Sequence, residues 1–240
     1  MRDTIVPFPF DVISIGSNGR EKDELRILTP IGMLGQGFNE KIFWDAINDE
    51  HGIDAMIMDS GSTDSGPGRL ATGSLSLPQK GFERDLAILV RACHLHHIPI
   101  LIGSAGGDGE NQFVDLLIEI VEKLIKSNGY RTMKVIGIYS EISKDIVRQK
   151  FADGLISPCG GGVPELTEHD IDTATRIVFQ MGHEPYLKAM EENPDFDIII
   201  GGRAYDPAPY AAFCLYKGFH NMGTFSFFFP IMTFSPRGTP

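Results

Sequence analysis

The sequence predicts an α/β protein with a three-layer, Rossmann-like architecture, in which a mainly parallel sheet of about six strands is flanked by helices. Two observations predict this class. Short apolar runs alternate with longer stretches of helical periodicity, and three of the apolar runs end in polar, glycine-rich loops. The chain has 240 residues and 42% hydrophobic content, which is enough to bury a sizeable core. The length allows one large domain, or a domain plus a fragment.

The expected strands are short apolar runs bounded by turn residues. They are Arg26–Ile31, Ala55–Met58, Ile98–Ile102, Lys134–Ile138, Gly154–Ile156 and Asp197–Ile200. Two of the stretches between them place apolar residues on a single helical face. These stripes are Phe82, Leu86, Leu89, Val90 and Cys93, and then Phe113, Leu116, Leu117, Ile120, Val121 and Leu124. Helices with such faces are expected to cover the sheet.

Helix starts are marked by side chains that cap free backbone amides, or by prolines, whose missing amide costs little at that position. Asn39, Ser143 and Thr167 are the expected N-caps, and Thr167 forms a capping-box pattern with Asp170. The starts marked by proline are at or just after Pro78, Pro185 and Pro207.

The chain divides into three parts by composition. Residues 1–24 are expected to be an N-terminal lead-in, residues 25–218 an α/β ligand-binding domain, and residues 219–240 an atypical C-terminal tail. The run Phe225-Ser-Phe-Phe-Phe-Pro230 shows neither helical nor strand periodicity. An uncovered aromatic cluster favours aggregation. The tail is therefore interpreted as a docking element or as a truncated or altered end.

The net charge limits the class of partner, and the cysteine content bears on the cellular compartment. The formal net charge of −11 opposes binding to nucleic acid and to anionic membrane surfaces, and no run approaches the length of a membrane helix. The expected partner is a small anionic substrate attracted by local groups, and a homo-oligomer is a further expectation. Three cysteines without a CxxC pair, and the absence of a signal-peptide pattern, favour a cytoplasmic protein.

The most informative segment is the loop from Asp59 to Gly68, which follows a buried apolar run directly. Its hydroxyl and carboxylate groups are expected to fix a sugar, a divalent cation or a substrate hydroxyl; the alternative is a structural cluster of Asx turns. These groups belong to Asp59, Ser60, Ser62, Thr63 and Asp64. Asp59 and Asp64 are the candidate catalytic acids or bases.

A second polar loop, Gly103 to Gly109, precedes a helix. Its backbone is expected to curl into an anion-binding nest, with Ser104 donating its hydroxyl. The glycines expected to bind ligand are Gly103, Gly106 and Gly107. The alternative is a turn that requires glycine only for its backbone conformation.

A third loop supplies Gly202, Arg203 and Asp206. The planar guanidinium of Arg203 suits a carboxylate or a phosphate, although a salt bridge to Asp206 or Asp64 would also explain it. Because ligands bind outside the carboxyl ends of parallel strands, we expect the three loops to form one shared site.

Three other patterns carry residues that could do chemistry. Cys159 lies in a glycine-rich segment and has the chemistry of a nucleophile, yet a packed thiol is the commoner role. The run His94-Leu-His-His97 suggests a metal site or a structural cluster at a helix end. Gly35-Gln-Gly37 follows the first strand as in a dinucleotide fingerprint, but Glu40 replaces the third glycine.

Four segments in this order resemble the N-terminal domain of the acyclic terpene utilisation (AtuA-like) family, formerly a domain of unknown function. They are Thr29-Pro-Ile-Gly-Met-Leu-Gly-Gln-Gly-Phe38, Asp59-Ser-Gly-Ser-Thr-Asp-Ser-Gly-Pro67, Ile102-Gly-Ser-Ala-Gly-Gly107 and Gly201-Gly-Arg-Ala-Tyr-Asp206. The resemblance covers about residues 25–218. It implies a role in the breakdown of acyclic terpenes such as citronellol and geraniol, whose carbon skeletons pass through CoA thioesters.

These observations lead to an enzyme, or the substrate-binding part of one, that holds a small acyl or carboxylate ligand. Arg203 and Ser104 are expected to neutralise the anion, while Asp59 or Asp64 acts as general base or binds a divalent cation. The cofactor is left open between such a cation and a CoA-linked substrate. The alternatives are a non-catalytic ligand-binding or assembly subunit, and a nicotinamide-dependent enzyme.

Overall fold

A computed structural model describes residues 24–61, 66–158, 160, 162–219, 225–228 and 231–234. The elements follow one another as β1 (Leu25–Leu28), α1 (Glu40–Ile47), β2 (Ala55–Asp59), α2 (Gly66–Thr72), α3 (Gln79–His96), β3 (Ile100–Gly103), α4 (Asn111–Asn128), β4 (Val135–Ile138), α5 (Lys144–Ala152), α6 (Glu168–Thr173), α7 (Glu184–Glu192), β5 (Ile198–Gly201), α8 (Ala208–Tyr216), β6 (Phe225–Phe228) and β7 (Ile231–Phe234).

The strands form one sheet in the order β4-β5-β3-β2-β1-β7-β6. The five strands β1 to β5 are mutually parallel. The hairpin β6–β7 is antiparallel and adds to the free side of β1. The α/β fold class with a mainly parallel sheet is confirmed.

Helices cover both faces of the sheet, as a parallel sheet requires. On one face, α1, α3 and α4 pack on alternate strand residues such as Met58 and Ile200. On the other face, α7 and α8 pack on the intervening residues, such as Ile57 and Ile199. The period of two along each strand thus divides the core into two layers.

The expected helix starts are confirmed. The side chains of Asn39 and Ser143 accept hydrogen bonds from amides in the first turns of α1 and α5, and Thr167 and Asp170 form a complete capping box on α6. Prolines stand at the starts of α3, α7 and α8. The buried faces of α3 and α4 agree with the predicted apolar stripes.

Two segments differ from expectation. Gly154–Ile156 is not a strand: Gly154 adopts a φ of 68° just after α5, and Leu155 is 65% exposed, so the run ends a helix and does not enter the sheet. The aromatic run beginning at Phe225 was expected to lack strand structure, yet it contains β6. β6 pairs with its sequence neighbour β7, and β7 pairs with β1 about 200 positions earlier; this long-range pairing is not encoded in the local residue pattern.

None of the helices within the described ranges is both long enough and apolar enough to cross a membrane.

Candidate functional site

The three polar loops leave neighbouring strands at one edge of the sheet. β2, β3 and β5 are adjacent and parallel, and Asp59 at the end of β2 pairs with Gly103 at the end of β3. The loops after these strands therefore begin side by side at the carboxyl edge, where ligands bind in parallel sheets.

Gly61 marks the point at which the three loops meet. A β-carbon built on Gly61 would lie 2.6 Å from Cβ of Ser104 and 3.0 Å from both Nη1 of Arg203 and Oδ2 of Asp59. Any side chain at position 61 would therefore displace these groups. The structure brings together one predicted residue from each of the three loops.

Arg203 is held in the site by its backbone. Its amide donates a hydrogen bond to Oγ of Ser140 at 2.7 Å, and the residue is only 8% exposed. Within the described residues, Nη1 of Arg203 is buried and has no hydrogen-bond partner. The alternative of a salt bridge to Asp206 therefore finds no support there, and Asp64, its other possible partner, lies outside the described residues. A buried guanidinium with an unused donor suits an anionic ligand.

Asp59, at the end of β2, is half-buried, and its Oδ1 atom is fully buried. Burial raises its pKa from 3.8 to about 6, and the negative charge of Asp206 adds to the rise. The Gly61 amide donates to Oδ2 at 2.8 Å and opposes it in part. A carboxyl group with a pKa near 6 can exchange a proton near neutral pH, as a general base or acid must.

The Gly103 to Gly109 loop is buried, and its amides donate hydrogen bonds both within the loop and to the third loop. The amides of Ser104 and Ala105 donate to the carbonyl groups of Gly202 and Gly201, and the amide of Gly107 donates to that of Ser104. These amides do not form the anion-binding nest that we expected. They tie the second loop to the third instead.

The hydroxyl of Ser104 has a structural partner as well. It donates to the carbonyl oxygen of Ala204 at 3.2 Å and lies 3.3 Å from the Ala204 amide. Its backbone φ of 49° is in the left-handed region, which is unfavourable for serine. Ser104 therefore helps to fix the position of the Arg203 loop, and its expected role as a donor to the anion stays a prediction.

The other glycines of the predicted site make room for protein atoms. A β-carbon on Gly106 or Gly107 would press against Phe113 or Ser76, and one on Gly202 would lie 2.9 Å from the Gly109 carbonyl oxygen. Packing therefore explains why these positions are glycine. Gly103 differs, because Oδ1 of Asp59 would lie 3.0 Å from its β-carbon.

The remaining candidates divide between exposed and undescribed positions. Asp206 is exposed, and its negative charge raises the pKa of Asp59. Ser62, Thr63 and Asp64 lie outside the described residues, as does Cys159.

The loop of Gly35 and Gly37 is occupied by a carboxylate of the protein itself. Both amides donate to Oδ2 of Asp85, at 2.8 and 3.1 Å, and Nε of Arg84 donates to Oδ1 at 2.8 Å. Asp85 is fully buried. These two amides are the groups that a dinucleotide phosphate would need, so this loop is a structural feature.

The histidine run lies at the end of α3, far along the strands from the three loops. Nδ1 of His94 accepts from the Arg131 amide at 3.2 Å, and its ring stacks on Tyr130 with centroids 4.5 Å apart. Among the residues that the structure describes, no group of three or more His, Cys, Asp or Glu side chains is placed to hold a metal ion.

Ser60 is one of the expected polar groups of the loop after β2, but Tyr186 is absent from the predicted site. Oγ of Ser60 and the hydroxyl of Tyr186 are buried and lack hydrogen-bond partners in the described part of the chain. The polar loop after β2 signalled Ser60. Tyr186 carries no such signal, because it lies in an ordinary amphipathic helix.

No protein-family model matches the chain, and no match is found among curated proteins or among solved structures.

Proposed function

We propose that this protein belongs to the AtuA-like family and binds a small acyl or carboxylate compound, with or without a CoA group, as an enzyme of acyclic terpene breakdown or as its substrate-binding part. The order of the four resembling motifs supports the family. The placement of the loops at the carboxyl edge of the sheet supports a ligand site there.

The observation that carries this proposal is the convergence at Gly61 of a buried guanidinium and a half-buried carboxylate. Nη1 of Arg203 has no hydrogen-bond partner among the described residues, and Asp59 has a pKa of about 6. Arg203 would hold the anionic group of the ligand, and Asp59 would accept or return a proton. This arrangement is suited to acid–base chemistry on an acyl compound.

Binding of 3-methylbutanoate and of its CoA thioester to the Arg203→Ala variant tests the proposal. Loss of the guanidinium should weaken binding by about tenfold or more, and Arg203→Lys should restore only part of it because a single ammonium lacks the planar fork. Isothermal titration calorimetry gives the affinities, and circular dichroism shows whether each variant folds.

Arg148→Ala is the matched control, because Arg148 forms exposed ion pairs with Asp145 and Asp172 away from the three loops. It should leave affinity unchanged. Equal affinity in wild-type protein and a folded Arg203→Ala variant would remove Arg203 from the site.

The assembly-subunit alternative is favoured by one observation, the aromatic C-terminal segment. Its strand β7 pairs with β1 and leaves β6 at the sheet edge. The nicotinamide alternative is not favoured by the loop after β1, whose Gly35 and Gly37 amides are bound by Asp85. A rise in melting temperature with NAD would revive it.

A further inference from the structure

The last register row of the parallel sheet places two glycines beside Asp59. Asp59 pairs with Gly103, and the register between β3 and β5 places Gly103 beside Gly201. These three positions project to the same face as the residues two places earlier, which pack under α7 and α8. The two glycines leave space on that face next to the Asp59 side chain.

Tyr186 of α7 extends into this space. It is fully buried, and a β-carbon on Gly201 would collide with its hydroxyl oxygen, while one on Gly103 would lie 3.8 Å from it. The same β-carbon on Gly103 would lie 3.0 Å from Oδ1 of Asp59. The tyrosine hydroxyl and this carboxylate oxygen therefore border one glycine.

Neither group has a hydrogen-bond partner among the described residues. Native proteins rarely leave such buried polar atoms unpaired, because each then loses its hydration without replacement. Tyr210 of α8 provides the contrast on the same face. Its hydroxyl donates to the carbonyl oxygen of Ile57 at 3.0 Å and pairs with Oγ1 of Thr29 at 2.8 Å.

We propose that Tyr186 is a positioning residue of this site, whose hydroxyl donates a hydrogen bond to a single oxygen atom that also contacts Oδ1 of Asp59. In the ligand-free protein this atom belongs to a water molecule, and in the complex an oxygen of the ligand replaces it. The replacement rests on the proposed function, whereas the contact in the ligand-free protein does not.

Asp59 then has Arg203 on the side of Oδ2 and Tyr186 on the side of Oδ1. Its Oδ2 faces Gly61 and Nη1 of Arg203, and its Oδ1 faces Gly103 and Tyr186. The other ionisable groups beside it are Asp206, whose charge raises the Asp59 pKa, and Tyr210. Arg203 would take the anionic end of a ligand, so the pair of Asp59 and Tyr186 would contact a second oxygen, as in a hydroxy or oxo acyl compound.

The first test is a titration of the Asp59 side-chain carboxyl by carbon-13 NMR, in wild-type, Tyr186→Phe and Tyr210→Phe proteins. A donor acting through a shared oxygen stabilises the charged carboxylate, so its removal should raise the Asp59 pKa by about 0.5 pH unit or more. Tyr210→Phe should produce no comparable change, because that hydroxyl already donates to a backbone carbonyl. Equal pKa values in wild-type and Tyr186→Phe proteins would overturn the proposal.

A second measurement needs no tyrosine variant and so does not depend on whether Tyr186→Phe folds. With carbon-13 at the ζ position of the six tyrosines, the Tyr186 signal should shift in wild-type protein with the same midpoint as Asp59. It should stay constant over that range in Asp59→Asn. A Tyr186 chemical shift that stays constant while Asp59 titrates in wild-type protein would also overturn the proposal. Both tests use no ligand, so their outcome is separate from that of the Arg203 binding experiment.

Discussion

At the scale of single residues, Asp59 is a proposed site residue whose position is expected to reduce stability. It is half-buried at the sheet edge, with Oδ1 unpaired among the described residues and its pKa raised to about 6. A residue chosen only for packing at this position would be uncharged. Buried groups that work against stability are commonly found at functional sites.

Asp59→Asn is therefore expected to stabilise the protein near neutral pH. Because the folded-state pKa lies above the ordinary 3.8, the folded protein binds the proton more tightly, and stability is lost as pH rises through the window from about 4 to 6. Removing the charge should raise the free energy of unfolding at about pH 7.5 by about 1–3 kcal/mol. Urea unfolding at several pH values measures this.

The difference between Asp59→Asn and wild type should vanish below about pH 4, where the carboxyl is protonated in both states. An equal difference at every pH, or a less stable variant at neutral pH, would show that the burial of the Asp59 charge is not what costs stability.

At the scale of elements, the loop between β1 and α1 depends on a side chain from α3. Asp85 accepts hydrogen bonds from the amides of Gly35 and Gly37, and Gly35 packs against Phe82 of the same helix. A carboxylate fills the position that a phosphate takes in dinucleotide-binding folds. The loop is thus stabilised by the protein alone.

Asp85→Asn should destabilise the protein by about 2–4 kcal/mol. The NH2 group of asparagine must take the place either of Oδ2, which accepts from the two glycine amides, or of Oδ1, which accepts from Arg84, so at least one donor loses its acceptor. Thermal and urea unfolding would measure the loss. Asp45→Asn is the control: Asp45 forms only an exposed pair with Lys41, and such pairs contribute at most about 0.5 kcal/mol. Similar losses in both variants would contradict the assigned role of Asp85.

Local patterns predicted the elements well, because caps and apolar faces depend on residues close in sequence. The capping box of Thr167 and the apolar face of α3 are examples. Contacts between distant residues were not predictable. Asp85 reaches Gly35 across 50 positions, and Tyr186 reaches the glycines of β3 and β5 through packing alone. The loops were correctly placed at one edge, yet several of their described amides donate to carbonyl groups within the same loop or in a neighbouring one.

At the scale of the whole molecule, the sheet ends in a hairpin beyond β1. Strand β7 pairs with all four residues of β1, and β6 pairs with β7. An uncovered strand edge is a template for association with another chain. The C-terminal segment therefore covers the edge of β1 within the same molecule.

Removal of residues 223–240 is expected to expose β1 and to increase self-association. Size-exclusion chromatography with light scattering, on proteins with and without this segment, would show a higher mass for the shortened chain. If the segment instead serves to dock on a second copy, the assembly formed by the shortened chain will contain fewer copies than that of the full chain.

The central claim is that the loops after β2, β3 and β5 form one anion-binding site around Asp59 and Arg203. The most direct test follows the backbone amide signals of Gly61, Ser104 and Arg203 by NMR while 3-methylbutanoate is added. The account predicts that all three signals shift together with a single Kd, and that Arg203→Ala raises that Kd by about tenfold or more. Shifts confined to other parts of the sheet, or none at these three residues, would contradict it.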